Sequence, residues 1–213
     1  MFDTYLFDLD GTLTDSGEGI MNAVRYSLAQ SGDRDPGEEV LRRFIGPPLW
    51  ESFERFLGFS EEKAQRAVEL YRVYYKDRGL FENRVYDGIE DMLKGLKNAG
   101  KQLAVATCKP EPFSVRILEH FGLSRYFDNI TGSLLDGTRR EKREVIAEAV
   151  RRCGADPEKA LMVGDRKHDI IGARENGIGC IGVLWGYGSR EEFLEYGASG
   201  IISDPGELLN GVR

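Results

Sequence analysis

The sequence is poor in the features that mark membrane, disulfide-stapled or nucleic-acid-binding proteins. It has 3 cysteines in 213 residues. Cys108, Cys153 and Cys180 are an odd, unpatterned set, which argues against a disulfide framework and for a reducing, cytoplasmic setting. No apolar run approaches the roughly 20 residues that a membrane-spanning helix needs, so no membrane partner is expected. Positive charge is in deficit: 29 Lys and Arg stand against 36 Asp and Glu, for a net charge of −7. That balance gives no electrostatic footprint for a nucleic acid polymer. An acidic chain can still hold a phosphate ester, but only through a local cluster of cations or a metal. The 2 histidines, His120 and His168, read as helix-surface residues. The N-terminus carries Asp3, Asp8 and Asp10, which does not suit a secretory signal. Internal repeats and low-complexity segments are also missing.

What is present is enough apolar material for one or two globular domains, with 41% hydrophobic and 31% charged residues. The chain is organised around Tyr5-Leu6-Phe7-Asp8-Leu9-Asp10-Gly11-Thr12-Leu13. Its apolar start, bounded by a turn signal, predicts a strand buried on both faces in a parallel sheet. Ligands of such sheets sit at the carboxyl ends of the strands, where Asp8 and Asp10 fall. Two acids so close repel each other unless a shared proton or a cation neutralises them, and a hard divalent ion with oxygen ligands does so. Asp-Leu-Asp-Gly-Thr resembles the nucleophile motif of the haloacid dehalogenase superfamily of phosphohydrolases.

Residues 15–83 read as helical throughout. Apolar stripes run over 19–29, from Pro36, through Trp50, Phe53 and Phe56, and from a Ser60 cap to about Arg78. Trp50, Phe53 and Phe56 are expected to form the core of this insert. From Tyr86 onward helices and strands alternate. Strands are predicted at 103–106, 130–131, 160–163, 180–184 and 201–202, with helices at 89–99, 112–120, 140–153 and 167–176. This alternation predicts an α/β fold: a Rossmann-like parallel sheet formed by 1–14 and 84–213, interrupted by an all-α cap over 15–83. An insert rooted beside the acidic loop is expected to cover it and exclude water.

The resemblance assigns roles along the chain. It implies that Asp8 is a nucleophile forming an aspartyl-phosphate. Asp10 would be the general acid and then base, with its main-chain carbonyl ligating the metal. An Asp at position 10 favours phosphoryl transfer over carbon–halogen cleavage. Gly11 and Thr107, the latter at a strand end, would bind phosphate. Lys109 is expected at the rim, toward substrate. Lys142, in a Lys-x-x-Val-Ile context, matches the essential lysine that neutralises phosphate and nucleophile; Arg140 and Arg143 are its neighbouring alternatives. Gly164-Asp165-Arg166-Lys167-His168-Asp169 resembles the superfamily's Gly-Asp-x-x-x-Asp metal motif. Asp165 is expected as a direct ligand, and Asp169 as a group behind it or a weaker ligand. The oxygen-only set, Asp8, Asp10, Asp165 and Asp169, suits Mg²⁺.

Arg43-Phe44-Ile45-Gly46-Pro47-Pro48-Leu49, Gly79-Leu80-Phe81-Glu82-Asn83 and Leu184-Trp185-Gly186-Tyr187-Gly188 resemble the branch containing phosphoglycolate phosphatases and 5′-nucleotidase-like members. The resemblance implies hydrolysis of a small phosphorylated metabolite, with nucleoside 5′-monophosphates first and phosphoglycolate second; a sugar-phosphate mutase, a different reaction on the same motifs, is the third reading. Arg43 is the leading candidate for a substrate contact from the insert. A monomer or small homo-oligomer is expected.

Overall fold

The computed structural model describes residues 2–210. It divides into two compact units, Met1–Thr14 with Val85–Arg213, and Asp15–Arg84.

In the first unit, six strands among the described residues form one sheet: β1 (Thr4–Phe7), β4 (Gln102–Pro110), β5 (Asn129–Ser133), β6 (Ala160–Gly164), β7 (Gly179–Val183) and β8 (Gly200–Ile202). Their order is β5-β4-β1-β6-β7-β8, and every pairing is parallel. β1 lies at the centre, with Phe7 beside Val105 on one side and Val163 on the other. All four of its residues are buried, as its uninterrupted apolar sequence requires of a strand covered on both faces. Between β1 and β6 the strand order reverses, which is where ligands collect in open α/β sheets.

The intervening helices are α5 (Ile89–Asn98), α6 (Glu111–His120), α7 (Lys142–Cys153), α8 (Lys167–Glu175) and α9 (Arg190–Tyr196). Val145, Ile146 and Ala149 of α7 and Ile170 and Ala173 of α8 share one core with Leu6, Ala104, Ala106, Met162 and Cys180, closed by Phe193 of α9. The sheet contributes small residues where the helices approach, and each large side chain fully buried there stabilises by about 1.5–3 kcal/mol. α5 and α6 pack against β4.

Several local signals resolve differently from the sequence reading. Gly88, in the left-handed region, precedes α5. β4 continues beyond Ala106 to Pro110, with an irregular register against β5 between Ala106 and Pro110. α9 has a weak apolar pattern and was not anticipated; Ser189 caps it by accepting from the Glu192 N–H.

The second unit holds α1 (Gly17–Gln30), α2 (Glu38–Arg42), α3 (Leu49–Leu57) and α4 (Glu61–Tyr74), with a wide turn over Tyr75–Gly79. Ser60 caps α4 by accepting from the Lys63 N–H. α2 starts two residues after Pro36, because Gly37 takes φ 88° and turns the chain before it. Phe44 packs edge-on against Phe53 and Phe56 at 5.1 and 5.6 Å. Trp50 does not belong to this core: it is exposed, while Ser52 and Phe53 of the same helix are its buried residues. The segment is also not entirely helical. Thr14–Asp15 (β2) and Arg84–Val85 (β3) form a two-stranded ribbon, and the boundary between the units falls within it.

Candidate active site

The site is built where β1, β4 and β6 end and α7 begins. Asp8 extends β1 by one residue, its N–H donating to Val163 O at 3.0 Å. Its Oδ1 accepts the Leu9 N–H at 2.8 Å, and its Oδ2 lies 2.9 Å from Lys142 Nζ. The chain then turns tightly: Leu13 and Thr14 donate back to Leu9 O at 2.9 and 3.0 Å. Gly11 makes this turn with φ 80°, and a Cβ there would come within 2.2 Å of Asp165 Oδ2. A side chain at this position would fill the site, which accounts for glycine physically.

Asp10 lies on the other side of the turn. Its Oδ2 is 2.8 Å from Lys109 Nζ, while its Oδ1 is buried without a hydrogen-bond partner among the described residues. Lys109 is therefore not a rim residue, as its place after Thr107 suggested. β4 runs on far enough to carry it inward, and its side chain is 5% exposed. A buried ammonium requires a charge partner, which Asp10 supplies. Thr107 is buried, and its Oγ1 accepts the Lys109 N–H at 3.2 Å. Cys108 between them is chemically quiet: burial pushes its thiol up to about 12.

Lys142 is the first residue of α7, directly after the Glu141 cap. The Glu144 carboxylate accepts the Glu141 N–H at 3.1 Å, which fixes the helix entry. Gly172 of α8 gives the lysine stem its room, since a Cβ there would come within 2.9 Å of Lys142 Cγ. Lys142 Nζ reaches Asp8 Oδ2, Asp169 Oδ1 at 2.7 Å and Ala106 O at 3.1 Å. Burial opposes its charge, but Asp169 and Asp8 outweigh burial and hold its pKa well above the ordinary lysine value. Arg143 is instead exposed and paired with Glu141, and Arg140 is exposed.

β6 delivers Asp165, which is fully buried. Its Oδ2 accepts the Tyr187 N–H at 2.8 Å, and Thr12 Oγ1 lies 3.4 Å from its Oδ1. Burial, then Asp169 and Asp8, raise its pKa well above the usual carboxylate range. Asp165 does not cap α8, which starts at Lys167 after Arg166. Asp169, one turn into α8, accepts the Arg166 N–H on Oδ2 at 3.0 Å and faces Lys142 with Oδ1. Burial lifts Asp169 to about 6 against the pull of Lys142. His168 beside it is half-buried rather than a surface residue, and burial lowers its pKa.

Carboxylate oxygens of Asp8, Asp165 and Asp169 lie within 4.8 Å of one another. If all three carboxylates are ionised, they leave two net negative charges against the single ammonium of Lys142. That deficit matches a divalent cation, and the all-oxygen donor set matches a hard one. The Asp10 carboxylate is outside this cluster, turned to Lys109. Sequence reading missed that pairing, and its only signal was a lysine two residues past a strand-end threonine. It also missed the Tyr187 N–H on Asp165, because a main-chain donor leaves no residue-type signal. Arg43 belongs to the helical unit, where its guanidinium lies 4.1 Å over the Phe56 ring.

Comparison with known proteins places the chain in a family. The model of the haloacid dehalogenase-like hydrolase family matches residues 5–183. A 5′-nucleotidase of Pseudomonas aeruginosa is 48% identical over 187 residues, covering 88% of this chain and 85% of that protein. The tyrosine-protein kinase PtkA of Mycobacterium tuberculosis is 41% identical over 198 residues, covering 93% of this chain and 67% of that protein. The crystal structure of a predicted phosphatase from Clostridium acetobutylicum superposes with a TM-score of 0.94 at 47% identity, covering 99% of this chain and 97% of that one. Central strand, acidic turn and helix-opening lysine thus stand within a match that spans most of the sequence, and the chain belongs to the haloacid dehalogenase-like hydrolases, as a phosphatase of that family.

Proposed function

We propose that this phosphatase hydrolyses phosphomonoesters through an aspartyl-phosphate on Asp8, with Mg²⁺ as cofactor and nucleoside 5′-monophosphates as leading substrates. The observation that carries the reading is the shared ammonium of Lys142, which bridges Asp8 and Asp169 beside the buried Asp165. Asp8 attacks phosphorus, and the bond from phosphorus to the ester oxygen breaks. Asp10 protonates the departing oxygen and the alcohol leaves. Asp10 then takes a proton from water, which attacks the phosphorus held on Asp8 and releases orthophosphate. The Oδ1 of Asp10, without a hydrogen-bond partner among the described residues, is the atom available for both transfers, while Lys109 fixes the other oxygen.

Lys142 offsets negative charge as it grows on the phosphoryl oxygens. The Thr107 hydroxyl, accepting from Lys109 N–H, keeps its own proton for a phosphate oxygen, and Gly11 leaves the space. Asp8 and Asp165 would hold the cation, with Asp10 adding its main-chain carbonyl. Asp169, one turn into α8 with Oδ1 facing Lys142 and Oδ2 accepting the Arg166 N–H, would stand behind them or ligate more weakly. When bound, Mg²⁺ would screen the repulsion between phosphate and carboxylates.

The test is orthophosphate release from nucleoside monophosphates, phosphoglycolate and sugar phosphates, with and without Mg²⁺. Nucleoside 5′-monophosphates should give the highest kcat/KM, and Asp8→Asn should lower it by roughly three orders of magnitude or more. Full activity in Asp8→Asn would refute the nucleophile. Isomer formation without orthophosphate would make the chain a mutase. The PtkA relative favours one second reading, transfer of the Asp8-bound phosphoryl group to a tyrosine hydroxyl instead of water. Phosphotyrosine formed from ATP on added protein, and lost in Asp8→Asn, would establish it.

A further inference from the structure

The loop Trp185-Gly186-Tyr187-Gly188, just beyond β7, takes part in no step of the proposed reaction, yet it grips both acidic segments of the site. Trp185 Nε1 donates to Thr12 O at 2.9 Å. Two residues on, the Tyr187 N–H donates to Asp165 Oδ2 at 2.8 Å. Between them the main chain is pressed against both segments: a Cβ on Gly186 would lie 2.2 Å from Gly11 O and 2.4 Å from Asp165 Cβ. Thr12 completes the circuit, with Oγ1 3.4 Å from Asp165 Oδ1. One short loop thereby ties the turn carrying Asp8 and Asp10 to the strand end carrying Asp165, residues far apart in sequence.

We propose that Trp185 is a positioning residue for the cation: its indole N–H holds the Asp8–Thr12 turn at the separation from Asp165 that a divalent ion requires. The physical need is plain. Ionised, Asp8 and Asp165 repel each other when no cation lies between them; the Asp8 N–H on Val163 O, the long Thr12 hydroxyl contact to Asp165 and Lys142 on Asp8 resist the spreading, and the indole adds a donor at the far end of the turn. An indole donor on Thr12 O opposes that motion from outside the cluster, leaving the carboxylate oxygens to the ion. Groups that orient metal ligands typically contribute 10–100-fold in metal affinity. Phenylalanine would keep most of the packing and lose the tie.

The inference rests on Asp8 and Asp165 being the cation's ligands. Its test is calorimetric titration of the full chain with MgCl₂, before any substrate is added. Trp185→Phe, and a chain with 3-benzothienylalanine at 185, which replaces the indole N–H by sulfur in nearly the same shape, are compared with the unaltered protein. Both should bind Mg²⁺ about 10-fold or more weakly. In turnover the Mg²⁺ concentration for half-maximal rate should rise by the same factor, with substrate KM unchanged and kcat recovered at saturating Mg²⁺. Wild-type Mg²⁺ affinity in both variants, with or without a lowered Tm, would make Trp185 a packing residue and overturn the proposal. Failure of both variants to fold would overturn it as well, by making the tie a requirement of folding. No Mg²⁺ binding in the unaltered chain would instead remove the cation reading itself, and the inference with it.

Discussion

Replacing Lys142 by methionine is the sharpest test of the site's electrostatics, because the stem volume stays and only the ammonium goes. In the native chain Nζ stands 2.7 Å from Asp169 and 2.9 Å from Asp8. At an effective dielectric of about 20, one such contact corresponds to about 6 kcal/mol of bare Coulomb attraction. The desolvation of all three groups offsets much of that. What remains after one partner is removed from a buried pair is a destabilisation of about 3–5 kcal/mol, a large share of the 5–15 kcal/mol typical of a folded domain. The loss has an escape route that sets its pH dependence. Asp169 is already raised to about 6, chiefly by burial and against the pull of Lys142. Without Lys142 it binds its proton more tightly still, while in the unfolded chain it returns to its ordinary value. The folded variant therefore holds a proton that the unfolded chain has released, and stability falls as pH rises from about 4 through the raised value. Each pH unit within that window is worth about 1.4 kcal/mol per titrating group.

Urea denaturation in EDTA at several pH values between 5 and 8 measures this directly. The gap between the native chain and Lys142→Met should be widest near pH 8 and shrink toward pH 5. A gap below about 1 kcal/mol, typical of an exposed ion pair, or one that does not change with pH, would refute the account of a buried ammonium balancing buried carboxylates.

Two further outcomes follow from other parts of the same unit. Arg139 has φ 49°, while its side chain donates to Gly132 O at 2.8 Å and pairs with Glu111 at 2.6 Å. Arg139→Ala should lose the clamp and keep the strain the native arginine already bears, whereas Arg139→Gly loses the clamp but sheds the strain. Chemical denaturation should find the glycine variant more stable than the alanine variant by about 1 kcal/mol, and equal values would remove the strain argument. The half-buried Cys108, whose thiol is pushed up to about 12 chiefly by burial, and the buried Cys180 should react slowly with iodoacetamide at pH 8 in the native protein and readily in urea, as peptide mass analysis would record; rapid native labelling of Cys108 would contradict its raised thiol.

The sequence by itself determined the frame. An uninterrupted apolar strand before Asp8, helices and strands alternating from Tyr86, and a helical stretch between them specify an α/β sheet with an insert, because burial period and turn residues are local properties. The sequence also singled out Asp8 and Asp10, because charge at the end of an apolar strand is costly and few uses justify it; Lys142, Asp165 and Asp169 stood out through their resemblance to the family's motifs. Tertiary structure alone decided which charge meets which. Lys109 lies inside on Asp10 because β4 runs past the length its apolar run announces. Lys142, rather than its arginine neighbours, enters the site because it is the first residue of α7 and Gly172 leaves it room. Trp50 stays outside the insert's core because α3 turns Ser52 and Phe53 inward instead. Asp165 is held by a main-chain N–H from a loop after β7, and no residue type encodes that. Pairings between distant segments depend on where the sheet places their ends, and that is settled only when the whole core closes.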